Sequence, residues 1–158
     1  ALMCLNTCVA DELLQSIQAP LRSPETLESY REALATMVQK DGLVLAPIKN
    51  LVRRDDLAQV ADFLFATSNT DLVVVYGIQR QKMLLSARSR REHLHVGLAL
   101  SKEFPDGQAG GHRVMAGGQV LLSNLGFEVG HEHEESQEAI LSAFTERMLE
   151  LFSRGAEE

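Results

Sequence analysis

Over the first twenty residues, apolar side chains fall at Leu2, Leu5, Val9, Leu13 and Ile17. This roughly helical spacing needs a surface to lie against. Pro20 and Pro24 then break the pattern, as a linker does. Ser23-Pro24-Glu25 reads as a helix start: a capping hydroxyl, a proline at the first helical position and an acid facing the dipole. The predicted helix carries Leu27, Tyr30, Leu34, Met37 and Val38 on one face and stops at Gly42. Leu43 to Ile48 reads as a strand, with Pro47 placing its end near an edge or bend. Asp55 and Asp56 are placed to cap the next helix, whose face is Leu57, Val60, Ala61, Leu64 and Phe65.

Leu72-Val73-Val74-Val75-Tyr76-Gly77-Ile78 is a continuous apolar run, the pattern of a strand covered on both faces. Gln79 to Gln81 makes a polar turn and Lys82 to Arg88 a second strand. Too few residues separate the two for a crossover, so they form an antiparallel hairpin. A helix is expected from about His95 to Glu103. After Pro105-Asp106-Gly107 comes a loop at Gly110-Gly111, a short helix opening at His112 and a strand at Gln119 to Leu122. Residues 123–130 read as irregular or weakly extended. The last helix starts near Glu134 and buries Ile140, Leu141, Phe144, Met148 and Leu151. The fold class is therefore α/β of the α+β type, with a mixed β-sheet of about four or five strands flanked by helices. Residues 1–41 read as a helical lead-in or interdomain linker, and 42–158 as the sheet-containing domain.

Composition adds bounds to this outline. The chain has 158 residues, 45% hydrophobic and 23% charged, as expected for one globular domain with an appendage. No run of 18 apolar residues exists, so no membrane association is expected. The apolar N-terminus lacks a basic region and is interrupted by Asp11 and Glu12, unlike a signal peptide. It begins at Ala1, as an excised piece of a longer protein does. Cys4 and Cys8 read as buried thiols of a reducing cytoplasm, which makes the expected localisation cytoplasmic. A net charge of -7 argues against nucleic-acid binding by the whole surface. One stretch reverses that balance. Between Gln79 and Arg91 lie Arg80, Lys82, Arg88, Arg90 and Arg91, and no acid.

Candidate chemistry gathers at two places. Ser86-Ala87-Arg88-Ser89 falls where a strand ends, and strand ends are where sheets of this class build sites. Arginine grips phosphate or carboxylate with a planar fork, and the flanking Ser86 and Ser89 add donors. Gly110 and Gly111 precede His112 and Arg113, so a helix opening there would aim free backbone N–H groups at the same anion. Other clusters are weaker. His131-Glu132-His133 and the pair His93 and His95 have ligand-like spacing without further ligands nearby. No dinucleotide fingerprint, phosphate loop or nucleophile elbow occurs.

Gly110-Gly111-His112-x-x-x-Ala116-Gly117 resembles the GGH-x-x-x-AG signature of the C-terminal domain associated with DHH-family phosphoesterases, such as the RecJ-like and oligoribonuclease-like enzymes. Ser86-Ala87-Arg88-Ser89 resembles that domain's S-x-R-S element, and the order of elements from Gly42 onward agrees. Ala109 stands where the family often has a third glycine, and Met115 where it usually has alanine. The resemblance implies a division of labour. An N-terminal catalytic domain carrying an Asp-His-His run would hold manganese or another divalent metal and activate water. This chain contains no such run, so it is expected to bind no metal and to be inactive alone. Its implied partners are that catalytic domain and a phosphorylated substrate such as a short oligonucleotide or nucleotide. The site residues would be Ser86, Arg88, Ser89, Gly110, Gly111, His112 and Arg113. A homodimer is a further possible partner, and one made by an apolar segment such as 1–19 burying itself without its partner domain would be a consequence of truncation. A non-catalytic module sensing a nucleotide or cyclic dinucleotide is the alternative, and the related domain of alanyl-tRNA synthetases a third reading.

Overall fold

A computed structural model describes residues 23–127 and 134–153. The N-terminal apolar segment, Cys4, Cys8, His131 and His133 lie outside the described residues. Ser23 caps helix α1 (Pro24–Thr36), its side chain accepting from the Thr26 N–H. The helix stops earlier than its sequence pattern predicts. Met37 is the C-cap, Val38–Lys40 forms strand β1, and Asp41-Gly42 turns the chain into β2 (Leu43–Ile48). Asp41 and Gly42 have φ of 49° and 74°. Positive φ at both central residues is what a tight hairpin turn demands, so Gly42 closes a hairpin and does not stop a helix.

The face of α1 is also not the expected one. Leu27, Leu34 and Val38 are exposed, whereas Thr26, Ser29, Tyr30, Glu32 and Ala33 are buried. The reason is a set of buried hydrogen bonds. Thr26 Oγ1 and Ser29 Oγ donate to the Asp56 carboxylate at 2.9 and 3.1 Å. The Glu32 carboxylate accepts from the backbone and side chain of Asn50. Buried polar groups must be paired, and here the pairing orients the helix. Asp56 is thereby used up. Helix α2 (Arg54–Thr67) has Arg53 at its N-cap without a side-chain bond, so neither Asp55 nor Asp56 caps it.

Strands β3 (Leu72–Gln79) and β4 (Lys82–Ser89) form the expected antiparallel hairpin, and helix α3 (Val96–Glu103) follows with His95 as its cap. The short helix expected at His112 does not form. Strand β5 (Gln108–Gly111) turns through residues 112–114 into β6 (Met115–Leu121), which begins earlier than the predicted strand. Small residues from Ala109 to Gly118 let the two strands lie close: a Cβ on Gly118 would stand 2.6 Å from the Ala109 Cα. A 3-10 turn (Leu122–Leu125) and helix α4 (Glu134–Ser153) complete the described chain.

The result is one six-stranded mixed sheet in the order β1-β2-β3-β4-β6-β5. Only β2 and β3 run parallel, joined by the crossover helix α2. Pro47 sits beyond the residues of β2 that pair with β1, where its missing N–H costs no ladder bond. On one face Leu45, Val74, Tyr76, Leu85, Ala116 and Val120 pack against α3 and α4. On the other, Val44, Ala46, Val73, Val75 and Leu84 pack against α1 and α2. Phe65 and Leu151 are only half buried, and Phe152 is the buried residue at the end of α4. Among the described residues, no helix is long and apolar enough to cross a membrane.

Candidate functional site

Strand register brings the two sequence motifs together. Ser86 pairs with Gly117, Ala87 with Ala116 and Arg88 with Met115 across β4 and β6. One strand further, Gly110 pairs with Gly117 and Gly111 with Ala116. The Ser-x-Arg-Ser element and both halves of the glycine motif are thus neighbouring rows of one sheet. The β5–β6 turn reaches the same end of the sheet, where the Ser89 N–H donates to the Val114 carbonyl at 2.8 Å.

Side-chain alternation divides these residues between the faces. Ser86 and Arg88 point to the α1/α2 side, with Leu84. Ser89 points the other way. It is buried, and its hydroxyl accepts from the Arg91 N–H at 3.2 Å. Ser86 and Gly117 form the floor of a cavity of about 180 Å³, walled by Arg54, Asp55 and Ala58 at the start of α2. Among the described residues no helix covers β5 and β6 on this side, which leaves the floor open.

Arg88 is held by three bonds. Its Nε donates to Asp62 Oδ1 at 2.6 Å, and its Nη1 donates to Ser86 Oγ at 3.1 Å and the Ala87 carbonyl at 3.0 Å. These use every N–H on Nε and Nη1. Both N–H groups on Nη2 are left without a protein acceptor among the described residues. The guanidinium is therefore fixed in place with Nη2 unspent.

The glycines have separate uses. A Cβ on Gly111 would stand 2.7 Å from the Met115 carbonyl, and its φ of 146° is one that side-chain-bearing residues rarely adopt. Gly97 of α3 lies against Gly111, so that a Cβ there would overlap the Gly111 carbonyl. Gly111 is a packing residue, and the helix dipole expected beyond it does not exist. Gly117 is different. A Cβ there would meet only the Leu85 oxygen at 3.3 Å, on the open side of the sheet. His112 and Arg113 are exposed in the turn, with Arg113 donating to the Glu92 carbonyl.

Of the five cations in the basic run, two serve packing. Arg90 lies 4.1 Å over the Phe65 ring and donates to that residue's carbonyl, and Arg91 ties the Phe152 and Asp41 carbonyls. Arg80 and Lys82, at the far end of β4, line a larger cavity of about 510 Å³ with Arg54. Sequence reasoning missed Arg54 and this second cavity. The signal in the sequence is the acid-free run itself, whose first two cations are Arg80 and Lys82. Among the described residues no group of three or more His, Cys, Asp or Glu could hold a metal ion.

An open sheet face thus carries a fixed arginine beside bare glycine backbone in an α/β domain. The DHHA1 domain matches residues 40–150, and the chain belongs to that family. It is 27% identical over 155 residues to an uncharacterized protein of Methanocaldococcus jannaschii, covering 98% of this chain and 31% of that one. The chain thus spans about a third of the length of the curated relative it matches. Among solved structures it resembles an exopolyphosphatase-related protein from Bacteroides fragilis, with TM-score 0.56, 14% identity, and coverage of 85% of this chain and 39% of that one. The C-Ala domain of Aquifex aeolicus alanyl-tRNA synthetase aligns at TM-score 0.45 and 13% identity, over 68% of this chain and 96% of that one.

Proposed function

We propose that this chain is the substrate-binding domain of a metal-dependent DHH-type phosphoesterase that hydrolyses phosphodiester or phosphoanhydride bonds. Its site takes the phosphate of a nucleotide or short oligonucleotide. The observation that carries this reading is Arg88, pinned by Asp62, Ser86 and Ala87 with both Nη2 N–H groups lacking an acceptor among the described residues. A preorganised guanidinium suits phosphate, because the remaining Nη2 N–H groups can donate charge-assisted bonds and little rotamer freedom remains to be lost on binding. Gly117 lets the ligand approach the sheet backbone, and His112 borders the same end of the sheet. Metal-activated attack by water belongs to a catalytic domain outside this chain, which supplies binding and orientation only.

Calorimetric titration of the 158-residue chain with a nucleoside 5′-monophosphate tests this. Arg88→Ala is expected to weaken binding about tenfold or more, since a charge-assisted hydrogen bond contributes roughly 1.5–3 kcal/mol. Arg88→Lys keeps the charge but loses the fork, and falls between the two. Equal affinity in folded Arg88→Ala and in the parent chain overturns the reading, as does no binding by the parent at millimolar nucleotide.

A further inference from the structure

The open face of the sheet does not end at Arg88. Along β4 the same face carries Lys82, Leu84, Ser86 and Arg88, and along β6 their partners Leu121, Gln119, Gly117 and Met115. The cavity of about 510 Å³ occupies the Lys82 end of this strip. Arg54, Arg80 and Lys82 line it, and no acid does. Arg54 and Arg80 make no ion pair or side-chain hydrogen bond among the described residues. Lys82 has only a 3.4 Å bond to the Gln119 amide oxygen. Three cations that form no ion pair among the described residues share one groove, in a chain of net charge -7, and concentrate positive potential there.

Arg80 adds a second, independent observation. It occupies the first position of the two-residue β3–β4 turn with φ of 57°. Glycine dominates such positions because a side chain there is strained. A turn selected for stability alone would carry glycine. Here the strained residue is an arginine whose side chain borders the groove.

We propose that the Arg54–Arg80–Lys82 groove is a second anion subsite, for a phosphate further along the same ligand. The proposal rests on the reading of Arg88 as the first. Lys82 lies six residues from Arg88 on β4, about 20 Å away at the usual rise of roughly 3.3–3.4 Å per strand residue. A mononucleotide held at Arg88 does not reach it. A ligand with several linked phosphates does, so affinity grows with ligand length. The apolar floor, buried Leu84 and the 45% exposed Leu121, favours a phosphodiester chain carrying bases over bare polyphosphate.

The test compares mono-, tetra- and hexanucleotides, and a hexaphosphate, on the parent chain and on Arg80→Gly/Lys82→Gln. The parent is expected to bind the hexanucleotide about tenfold tighter than the mononucleotide. The double variant loses that gain, keeps mononucleotide affinity, and shows a log-affinity against log-salt slope shallower by roughly 0.7 for each cation removed. Arg80→Gly alone is expected to raise or preserve the melting temperature while weakening hexanucleotide binding, which separates a ligand role from a folding role. If the mononucleotide binds through Arg88 and length brings nothing, the second subsite is overturned and the first stands. If hexanucleotide binding depends on Arg80 and Lys82 but not on Arg88, the groove stands and the first reading falls. Hexaphosphate binding as tight as hexanucleotide binding upholds the subsite and removes Leu84 and Leu121 from recognition.

Discussion

The two faces of the sheet are built from the same strands and end differently. On the α3/α4 side, apolar residues continue without a break from Leu45 on β2 to Ala116 and Val120 on β6. On the α1/α2 side the apolar cluster runs from Val44 to Leu84 and stops, with no member from β5 or β6. Beyond it the residues in register are Ser86, Arg88, Gly117 and Gln119. A sheet face left without a helix among the described residues must be tolerable to water or to a ligand, and this half-face sets polar, cationic and glycine positions beside the half-exposed Met115 and Leu121. Both faces therefore contribute to the stability of the domain where helices cover them, and the uncovered half-face is the side proposed to take a ligand. The separation can be broken experimentally, because substitutions in the covered clusters should destabilise the protein and those on the uncovered half-face should not.

The largest effect belongs to the covered face. Phe144 is 2% exposed, stacks on Phe104 and tilts against Tyr76. Phe144→Ala is expected to cost about 3–5 kcal/mol, the transfer term plus the cavity left behind. Chemical denaturation reads this directly. A cost below about 1 kcal/mol would show that this face is not the core. Tyr76 gives the same face a pH signature. Burial pushes its hydroxyl up to about 12 from an ordinary 10, with the Thr145 hydrogen bond pulling weakly the other way. The folded state then holds this proton more tightly than the unfolded state does. Its contribution is complete below pH 10 and is lost as pH rises from 10 through 12. The loss is on the order of 3 kcal/mol at most. Tyr76→Phe should remove that part of the alkaline decline, and a decline identical in both proteins would refute the assignment.

Much of this division was legible in the sequence. The continuous run Leu72–Ile78 announced a strand covered on both sides, and Ser86-x-Arg88 was singled out from charge and position alone. What failed was local geometry decided by distant partners. Thr26 and Ser29 look like solvent-facing helix positions until Asp56, far along the chain, arrives as their acceptor. Leu27 and Leu34 then face outward despite their periodicity. The glycine pair at 110–111 carries no signal that distinguishes a helix start from the tip of a close-packed hairpin. Only Gly97 pressed against Gly111 decides between them. The second cavity needed Arg54 from one helix and Arg80 from a turn, a juxtaposition no spacing rule contains.

The glycine motif sharpens the comparison further, because its members lie on opposite sides of it. Gly111→Ala combines a backbone clash with Met115 and a φ of 146°. It is expected to cost about 1–3 kcal/mol. Gly117→Ala adds a methyl on the open side, where only the Leu85 oxygen must give by a few tenths of an ångström. Its stability cost should stay below about 1 kcal/mol, while nucleotide affinity falls because the methyl stands on the site floor. Melting and titration of both variants measure this. Equal destabilisation by the two, with affinity unchanged in Gly117→Ala, would erase the distinction between packing and ligand-facing glycines.

The smallest effect separates orientation from charge at Arg88. Asp62 is 64% exposed while the Arg88 side chain is 15% exposed, so their ion pair is largely open to water on one side. Pairs of that kind contribute about 0–1 kcal/mol, and Asp62→Asn should move the melting midpoint little. The amide oxygen that this substitution leaves in place of the carboxylate would still accept from Nε, which keeps the guanidinium in position. The negative charge beside the incoming phosphate is gone. Affinity for a nucleoside monophosphate is therefore expected to rise modestly, by about twofold to fivefold, with the gain shrinking as salt screens the removed charge. A fall in affinity would mean that the carboxylate's charge is what holds Arg88 on the open face. The preorganisation of this site would then rest on an ion pair of the ligand-facing side rather than on Ser86 and the β4 backbone.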